Sequence, residues 1–121
     1  MILDGNSLTL QHLSDELEHP TQLAVSNESK LLVRKSRDVV EHVLSTGDTV
    51  YGVNTGFGRL ANQRISADNL RQLQVNLLRS HAAGTGNYLP AETVGLILLL
   101  KINSLLRGYS GIRLEVIEAL I

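Results

Sequence analysis

Cysteine and tryptophan are absent from the 121 residues of the chain, and proline occurs only twice. Without cysteine the chain has no disulfide, thiolate metal site or cysteine nucleophile, and we expect a cytoplasmic protein in a reducing compartment. The three tyrosines and one phenylalanine are too few for a platform that stacks nucleic-acid bases. Eleven Lys and Arg residues face twelve Asp and Glu residues, so no basic field exists for a phosphate backbone, and we expect no nucleic-acid partner.

A long hydrophobic run is also missing. The most apolar stretch covers residues 93–100 and ends at Lys101, whereas a transmembrane helix needs roughly 20 apolar residues. The first residues lack the basic region of a secretory signal and meet an acid at Asp4. We therefore expect no membrane partner, and the hydrophobic fraction of 43% is enough for a packed core.

Apolar residues recur at helical spacing along most of the chain, which predicts one mainly α-helical domain over residues 1–121. The segments 7–10 and 22–25 are candidates for a small two-stranded element. Two helices are predicted to end at Pro20 and Gly47. Helices are predicted to begin at Ser26 or Asn27, Ser66, Pro90 and Ser110. The stripe predicted to be buried in the second helix is Leu32, Ser36, Val39 and Val43, and it is flanked by Val33, Val40 and Leu44.

The last part of the chain remains strongly apolar up to its final residue. The helix predicted over residues 90–107 is apolar almost all round, and the chain stops at Ile121 within an apolar helical pattern. Natural termini are usually polar and frayed. We therefore expect an N-terminal piece of a longer protein whose last helices self-associate or pack against other elements.

The densest chemical signal is the segment 51–59, YGVNTGFGR, with three glycines in seven residues. Glycine lets a loop bend sharply or move, so Tyr51 at its front is a candidate for a side chain carried into and out of a pocket. The alternative is a structural turn with the Tyr51 ring packed. A phosphate-binding loop is disfavoured, because neither the Lys-Ser/Thr of a P-loop nor a third Rossmann glycine is present.

His81 is the second candidate, on the apolar face of a predicted helix with Leu70, Leu73 and Leu77. A core histidine is the alternative, and no partner at metal-ligand spacing accompanies it, so no metal site is predicted. Neighbours on a helix point about 100° apart, and the adjacent Ser80 is therefore not expected to be a nucleophile activated by His81.

A third segment, 101–113, contains KINSL and GYSGIR. Asn103, Ser104 and Arg107 lie on one side of the predicted helix, where they are expected to form a structural hydrogen-bond network or, as the alternative, to contact a substrate.

The chain from residue 7 onward contains four short segments in a characteristic order: YGVNTGFG (51–58), SHAAG (80–84), KINSL (101–105) and GYSGIR (108–113). With these segments it resembles the N-terminal part of the aromatic amino acid lyase family. The resemblance implies the helical ammonia-lyase fold and elimination of ammonia from an aromatic amino acid. It implies that Tyr51 is the catalytic base for the β-proton, and that His81 and Gly58 line the substrate pocket. Ser80-His81 resembles the histidine-specific branch, which makes urocanate. Asn103 and Arg113 match family positions for which we expect structural roles.

The resemblance also implies a methylidene-imidazolone cofactor, which the family forms from an internal Ala-Ser-Gly, and a homotetramer. This chain contains no Ala-Ser-Gly, so the 121 residues alone are predicted to be inactive. Two alternatives stay open: a tyrosine ammonia-lyase or aminomutase of the same family, and a non-catalytic helical interaction domain.

Overall fold

The computed structural model describes residues 1–61 and 63–121, and it is mainly helical as predicted. The elements in chain order are β1 (Ile2–Leu3), α1 (Leu10–Glu18), β2 (Ala24–Val25), α2 (Asn27–Thr46), a short 3₁₀ turn (Gly58–Leu60), α3 (Ala67–His81), α4 (Ala91–Leu105) and α5 (Leu114–Leu120). Among the described helices, none combines the length and the apolar character needed to cross a membrane.

The chain divides into two compact units. Unit 1 consists of Met1–Val39 and Tyr88–Ile121, and unit 2 of Val40–Asn87. The buried hydrophobic core lies in unit 1, where residues from both of its stretches of chain meet. Its members are Leu3, Val33, Leu99, Ile102, Leu105, Leu106, Leu114 and Ile117.

The two-stranded element of unit 1 lies earlier in the chain than the sequence suggested. Ile2 pairs with Ala24 and Leu3 with Val25 in a parallel register, with α1 as the connection. The strand predicted at residues 7–10 is wrong, whereas a strand within 22–25 is confirmed. Thr9 instead caps α1: its Oγ1 accepts the backbone N–H of His12 at 3.2 Å, and the Nδ1 atom of His12 accepts the backbone N–H of Thr9 at 3.3 Å.

The bend that follows β1 is held by a carboxylate. Oδ1 of Asp4 accepts the backbone N–H groups of Asn6 and Ser7, both at 2.8 Å. These hydrogen bonds, that of Ser7 first, hold the pKa of the Asp4 carboxyl below its ordinary value of 3.8, because they stabilise the ionised form.

Helix α2 begins as predicted, because Oγ of Ser26 accepts the backbone N–H of Ser29 at 3.1 Å. Its buried face differs from the predicted stripe. Ser29 and Val33 are fully buried, whereas Leu32 and Val39 are 40% and 62% exposed. Ser36 and Val43 are partly buried, so the buried face is rotated by about one residue from the predicted stripe towards its flank at Val33.

Polar contacts along α2 explain that rotation. The segment after α4 returns to α2, where Oγ of Ser36 accepts the Gly111 N–H at 2.9 Å and the Arg37 guanidinium donates to the Gly111 carbonyl at 3.3 Å. Gly108 also approaches closely: a Cβ built there would lie 2.8 Å from the backbone of Leu32.

The last two helices of unit 1 begin without side-chain caps. Pro90 is the N-cap of α4 rather than its first residue, and Arg113, not Ser110, precedes α5. Ser110 instead accepts the backbone N–H of Ile112 within the connecting loop. On α4, Val94, Ile97 and Leu100 are exposed by 40 to 51% in this chain.

Unit 2 contains the end of α2, the glycine-rich loop and α3. Gly47 ends α2 with φ +76°, as predicted, and its backbone N–H donates to the carbonyl of Val43. Ser66 precedes α3, and Leu70, Leu73 and Leu77 lie half-buried on one face of that helix. The predicted apolar face is therefore confirmed for the three leucines, whereas His81, the last residue of α3, is exposed.

Candidate functional site

The glycine-rich loop of unit 2 is built around a buried asparagine. Asn54 is 3% exposed. Its side-chain Oδ1 accepts the backbone N–H of Val50 at 2.9 Å, and its Nδ2 donates to the carbonyl of Asp48 at 2.7 Å. The side chain thus supplies hydrogen-bond partners to two backbone groups of the segment that leads into the bend, which is how asparagine commonly stabilises turns. The residue held at the tip of this bend is Tyr51.

The bend at Tyr51 needs a glycine behind it. The backbone N–H of Val53 donates to the carbonyl of Val50, which closes a four-residue turn. Gly52 takes its third position with φ +79°, the left-handed conformation that a type II turn requires there. A Cβ built on Gly52 meets none of the described atoms within 4 Å. Conformation rather than space therefore dictates the glycine.

A short antiparallel pairing closes the far side of the loop. Thr55 forms a β-bridge with Arg64, and the backbone N–H groups of Gly56 and Ile65 donate to the carbonyls of Gln63 and Asn54. Within the described part of unit 2, Asn54 and Thr55 are the fully buried polar side chains. The loop is therefore anchored at its base, while the bend that carries Tyr51 lies at the surface.

Tyr51 is exposed and has one aromatic neighbour. Its side chain is 63% exposed. The ring centroids of Tyr51 and Phe57 lie 6.1 Å apart with an interplanar angle of 71°, an edge-to-face contact. The phenol is consequently accessible to a ligand, and one edge of its ring is held by Phe57.

Phe57 also lines an open, apolar recess of about 640 Å³ in unit 2, together with the last turn of α3. The other lining residues are Leu77, Leu78, His81 and Ala82. Phe57 therefore connects the two predicted site residues, because it contacts Tyr51 and shares the recess with His81. Gly58 begins the 3₁₀ turn after Phe57 at φ +57°, and no described atom lies within 4 Å of a Cβ built on it.

The imidazole of His81 is held by its own helix. Its Nδ1 atom lies 2.9 Å from the carbonyl oxygen of Leu77 and 2.9 Å from the hydroxyl of Ser80, and that hydroxyl donates to the same carbonyl at 3.0 Å. Although neighbouring residues on a helix point about 100° apart, the side chains of Ser80 and His81 both turn back to one carbonyl at the end of α3. Within residues 1–61 and 63–121, no cluster of three His, Asp or Glu side chains is placed to hold a metal ion.

The third segment belongs to unit 1. The side chains of Ser104 and Arg107 are exposed, so the predicted buried network does not form. Asn103 is partly buried, and its Oδ1 atom has no hydrogen-bond partner among the described residues. The polar side of α4 points outward at Ser104 and Arg107 because the core takes up Ile102, Leu105 and Leu106.

Sequence reasoning did not single out Asn54 or Phe57. Both carried a signal. An asparagine between glycines commonly satisfies the backbone of a turn, and Phe57 is the one phenylalanine of the chain, placed in a loop rather than on a helix face.

Residues 8–121 match the family described as "Aromatic amino acid lyase". A histidine ammonia-lyase of Legionella pneumophila is 50% identical over 120 residues, which cover 99% of this chain and 24% of the relative. The chain thus spans about a quarter of the length of the relatives it matches.

Solved structures share the fold. The crystal structure of histidine ammonia-lyase from Trypanosoma cruzi matches with a TM-score of 0.89 and 37% identity, over 98% of this chain and 23% of that one. A tyrosine aminomutase from Streptomyces globisporus matches with a TM-score of 0.90 and 30% identity, over 99% and 23%. With the family match extending over residues 8–121, the chain belongs to the aromatic amino acid lyase family.

Proposed function

We propose that this chain supplies the catalytic base and the residues that select the substrate ring in the active site of a histidine ammonia-lyase, which converts histidine to urocanate and ammonia. The observation that carries the proposal is the position of Phe57, in edge contact with Tyr51 and in one recess with His81. The 50% identity to the Legionella enzyme favours histidine as the substrate.

Tyr51 is the proposed base. The elimination breaks the bond between the α-carbon and the amine, removes a β-proton and forms a carbon–carbon double bond. A free phenol keeps its proton up to about pH 10, so a phenolate at neutral pH requires electrostatic help. Closure of the bend at Gly52 over a substrate would exclude water from the Tyr51 hydroxyl and place it at the β-carbon.

The electrophile is proposed to come from another part of the lyase. The methylidene-imidazolone of the family activates the amine as a leaving group. The residues of this chain do not provide it: no Ala-Ser-Gly occurs, and the recess is lined by Phe57, Leu77, Leu78, His81 and Ala82. The role of this chain is therefore to bind the ring of the substrate and to accept a proton, within the homotetramer that we propose for the whole enzyme.

A chimera tests this function. The aligned quarter of the Legionella relative is replaced by this chain, and products from histidine and tyrosine are separated chromatographically. We expect urocanate from histidine. Coumarate or β-tyrosine from tyrosine would instead favour a tyrosine lyase or aminomutase.

Replacement of the base gives a second measurement. In the chimera, Tyr51→Phe should lower kcat by about 10²- to 10⁴-fold, the usual contribution of general base catalysis. Tyr109→Phe is the matched control, because Tyr109 is 87% exposed and lies in unit 1. A folded chimera that makes no urocanate, or a Tyr51→Phe variant with unchanged turnover, would contradict the proposal.

A further inference from the structure

We infer that Ser80 and the carbonyl of Leu77 fix the tautomer of His81, so that the neutral imidazole presents the lone pair of Nε2 as an acceptor for a substrate that carries a ring N–H. The inference rests on the proposed function, since it assigns the recess of His81 to the ring of the substrate. Its structural part, the tautomer, is testable separately.

The tautomer follows from the partners of Nδ1. A carbonyl oxygen only accepts hydrogen bonds, and the Leu77 oxygen lies 2.9 Å from Nδ1. An unprotonated Nδ1 would place two lone pairs against each other at that distance. Nδ1 must therefore carry the proton in the neutral ring, and Nε2 is left with a free lone pair.

The hydroxyl of Ser80 completes the arrangement. It donates to the Leu77 carbonyl at 3.0 Å, so its own proton is not available to Nδ1, and its oxygen accepts from Nδ1–H at 2.9 Å. One carbonyl and one hydroxyl thus favour the same protonation state. Ser80 is on this reasoning a positioning residue, which acts through His81 and has no contact with the substrate.

The consequence concerns the class of substrate. His81 shares its recess with Phe57, Leu77, Leu78 and Ala82, whose side chains are apolar. His81 is exposed in this chain, and once a substrate ring displaces water from the recess, an acceptor at Nε2 favours a ring with a donor and disfavours a ring of equal size that offers only acceptors. Histidine meets this requirement through its imidazole N–H, whereas a thiazole ring does not.

Nitrogen-15 spectroscopy tests the tautomer in the 121-residue chain. Ring nitrogens are labelled, and His81 is assigned as the signal that disappears in His81→Gln. At about pH 8.5, where a free imidazole is neutral, we expect Nδ1 to be protonated and Nε2 to be unprotonated. Ser80→Ala should shift the population towards Nε2–H, and Ser80→Thr should restore it. A majority of Nε2–H in the unaltered chain would overturn the inference.

Kinetics in the chimera test the substrate part. The ratio of kcat/KM for histidine to that for thiazolylalanine should fall about two- to tenfold in Ser80→Ala, the range of one neutral hydrogen bond. Ser80→Thr should keep the ratio. Ser45→Ala is the matched control, because Ser45 donates to the carbonyl of His42 at the end of α2 in the same manner.

The two proposals fail in different ways. An unchanged ratio in Ser80→Ala would overturn the role of Ser80 although urocanate is still formed. Absence of urocanate from the folded chimera would instead overturn the proposed function and the assigned substrate, and the nitrogen-15 result would still decide the tautomer.

Discussion

Replacing Asn54 with alanine should loosen the bend that carries Tyr51. The substitution removes two side-chain hydrogen bonds, from the Val50 N–H at 2.9 Å and to the Asp48 carbonyl at 2.7 Å. Each is worth about 1 kcal/mol net, so the local free energy of opening should fall by about 2 kcal/mol. The side chain is 3% exposed, so water does not replace these bonds while the loop keeps its shape.

Hydrogen exchange measures this loss directly. The reporters are the backbone N–H groups of Gly56 and Ile65, which donate to the carbonyls of Gln63 and Asn54. A loss of about 2 kcal/mol corresponds to roughly thirtyfold faster exchange at both amides. Asn76→Ala is the matched control, because Asn76 is exposed on α3 and accepts one hydrogen bond, from Gln72. Exchange rates within twofold of the original chain in Asn54→Ala would refute the assigned role of Asn54.

Four further substitutions probe the fold. Ile117→Ala should lower the free energy of unfolding by about 2–5 kcal/mol in urea titrations, because the side chain is fully buried in unit 1; a loss below 1 kcal/mol would contradict that packing. Gly108→Ala should lower the free energy of unfolding by about 3 kcal/mol, because Gly108 has φ +74° and lies against Leu32. Gly86→Ala should lower it by about 1 kcal/mol, because Gly86 has φ +87° but no described atom within 4 Å of an added Cβ. Equal losses would argue against the close approach of Gly108 to Leu32. Asp4→Asn should make the free energy of unfolding depend less on pH at acidic pH. The depressed pKa of Asp4 contributes stability above the ordinary value of 3.8, and this stability is lost as the pH falls through the folded-state pKa. An unchanged pH dependence would count against the hydrogen bonds that Asp4 accepts from Asn6 and Ser7.

Helix boundaries could be read from the sequence where one residue determines the backbone. The stop before Pro20, the cap at Ser26 and the left-handed Gly47 were all correct, because each follows from local sterics or a local hydrogen bond. Ser110 failed as a cap because Arg113 precedes α5 and the Ser110 hydroxyl bonds within the loop.

Which side chains of a helix are buried was harder to predict from the sequence. The stripe on α2 was predicted from hydrophobicity, yet Ser29, which lies outside the predicted stripe, is buried while Val39, which lies within it, is exposed. Buried serine is stable there because its hydroxyl donates to the Asp4 carbonyl at 2.8 Å. That partner lies 25 residues away, and no local pattern could have revealed it.

In the candidate site, too, local motifs were easier to predict from the sequence than contacts between side chains. Tyr51 and His81 were predicted as site residues from their motifs, and in the structure Phe57 contacts Tyr51 and lines one recess with His81. The contact between Ser80 and His81 was missed, because a helical wheel gives the direction of each Cβ and not the reach of the side chain beyond it.

The division of unit 1 into two stretches of chain has a consequence for translation. Leu3 and Val33 emerge early from the ribosome, but Leu106 and Ile117, which complete their core, are made only after residues 40–87. The nascent chain therefore carries uncovered aliphatic surface for as long as residues 40–87 take to be synthesised.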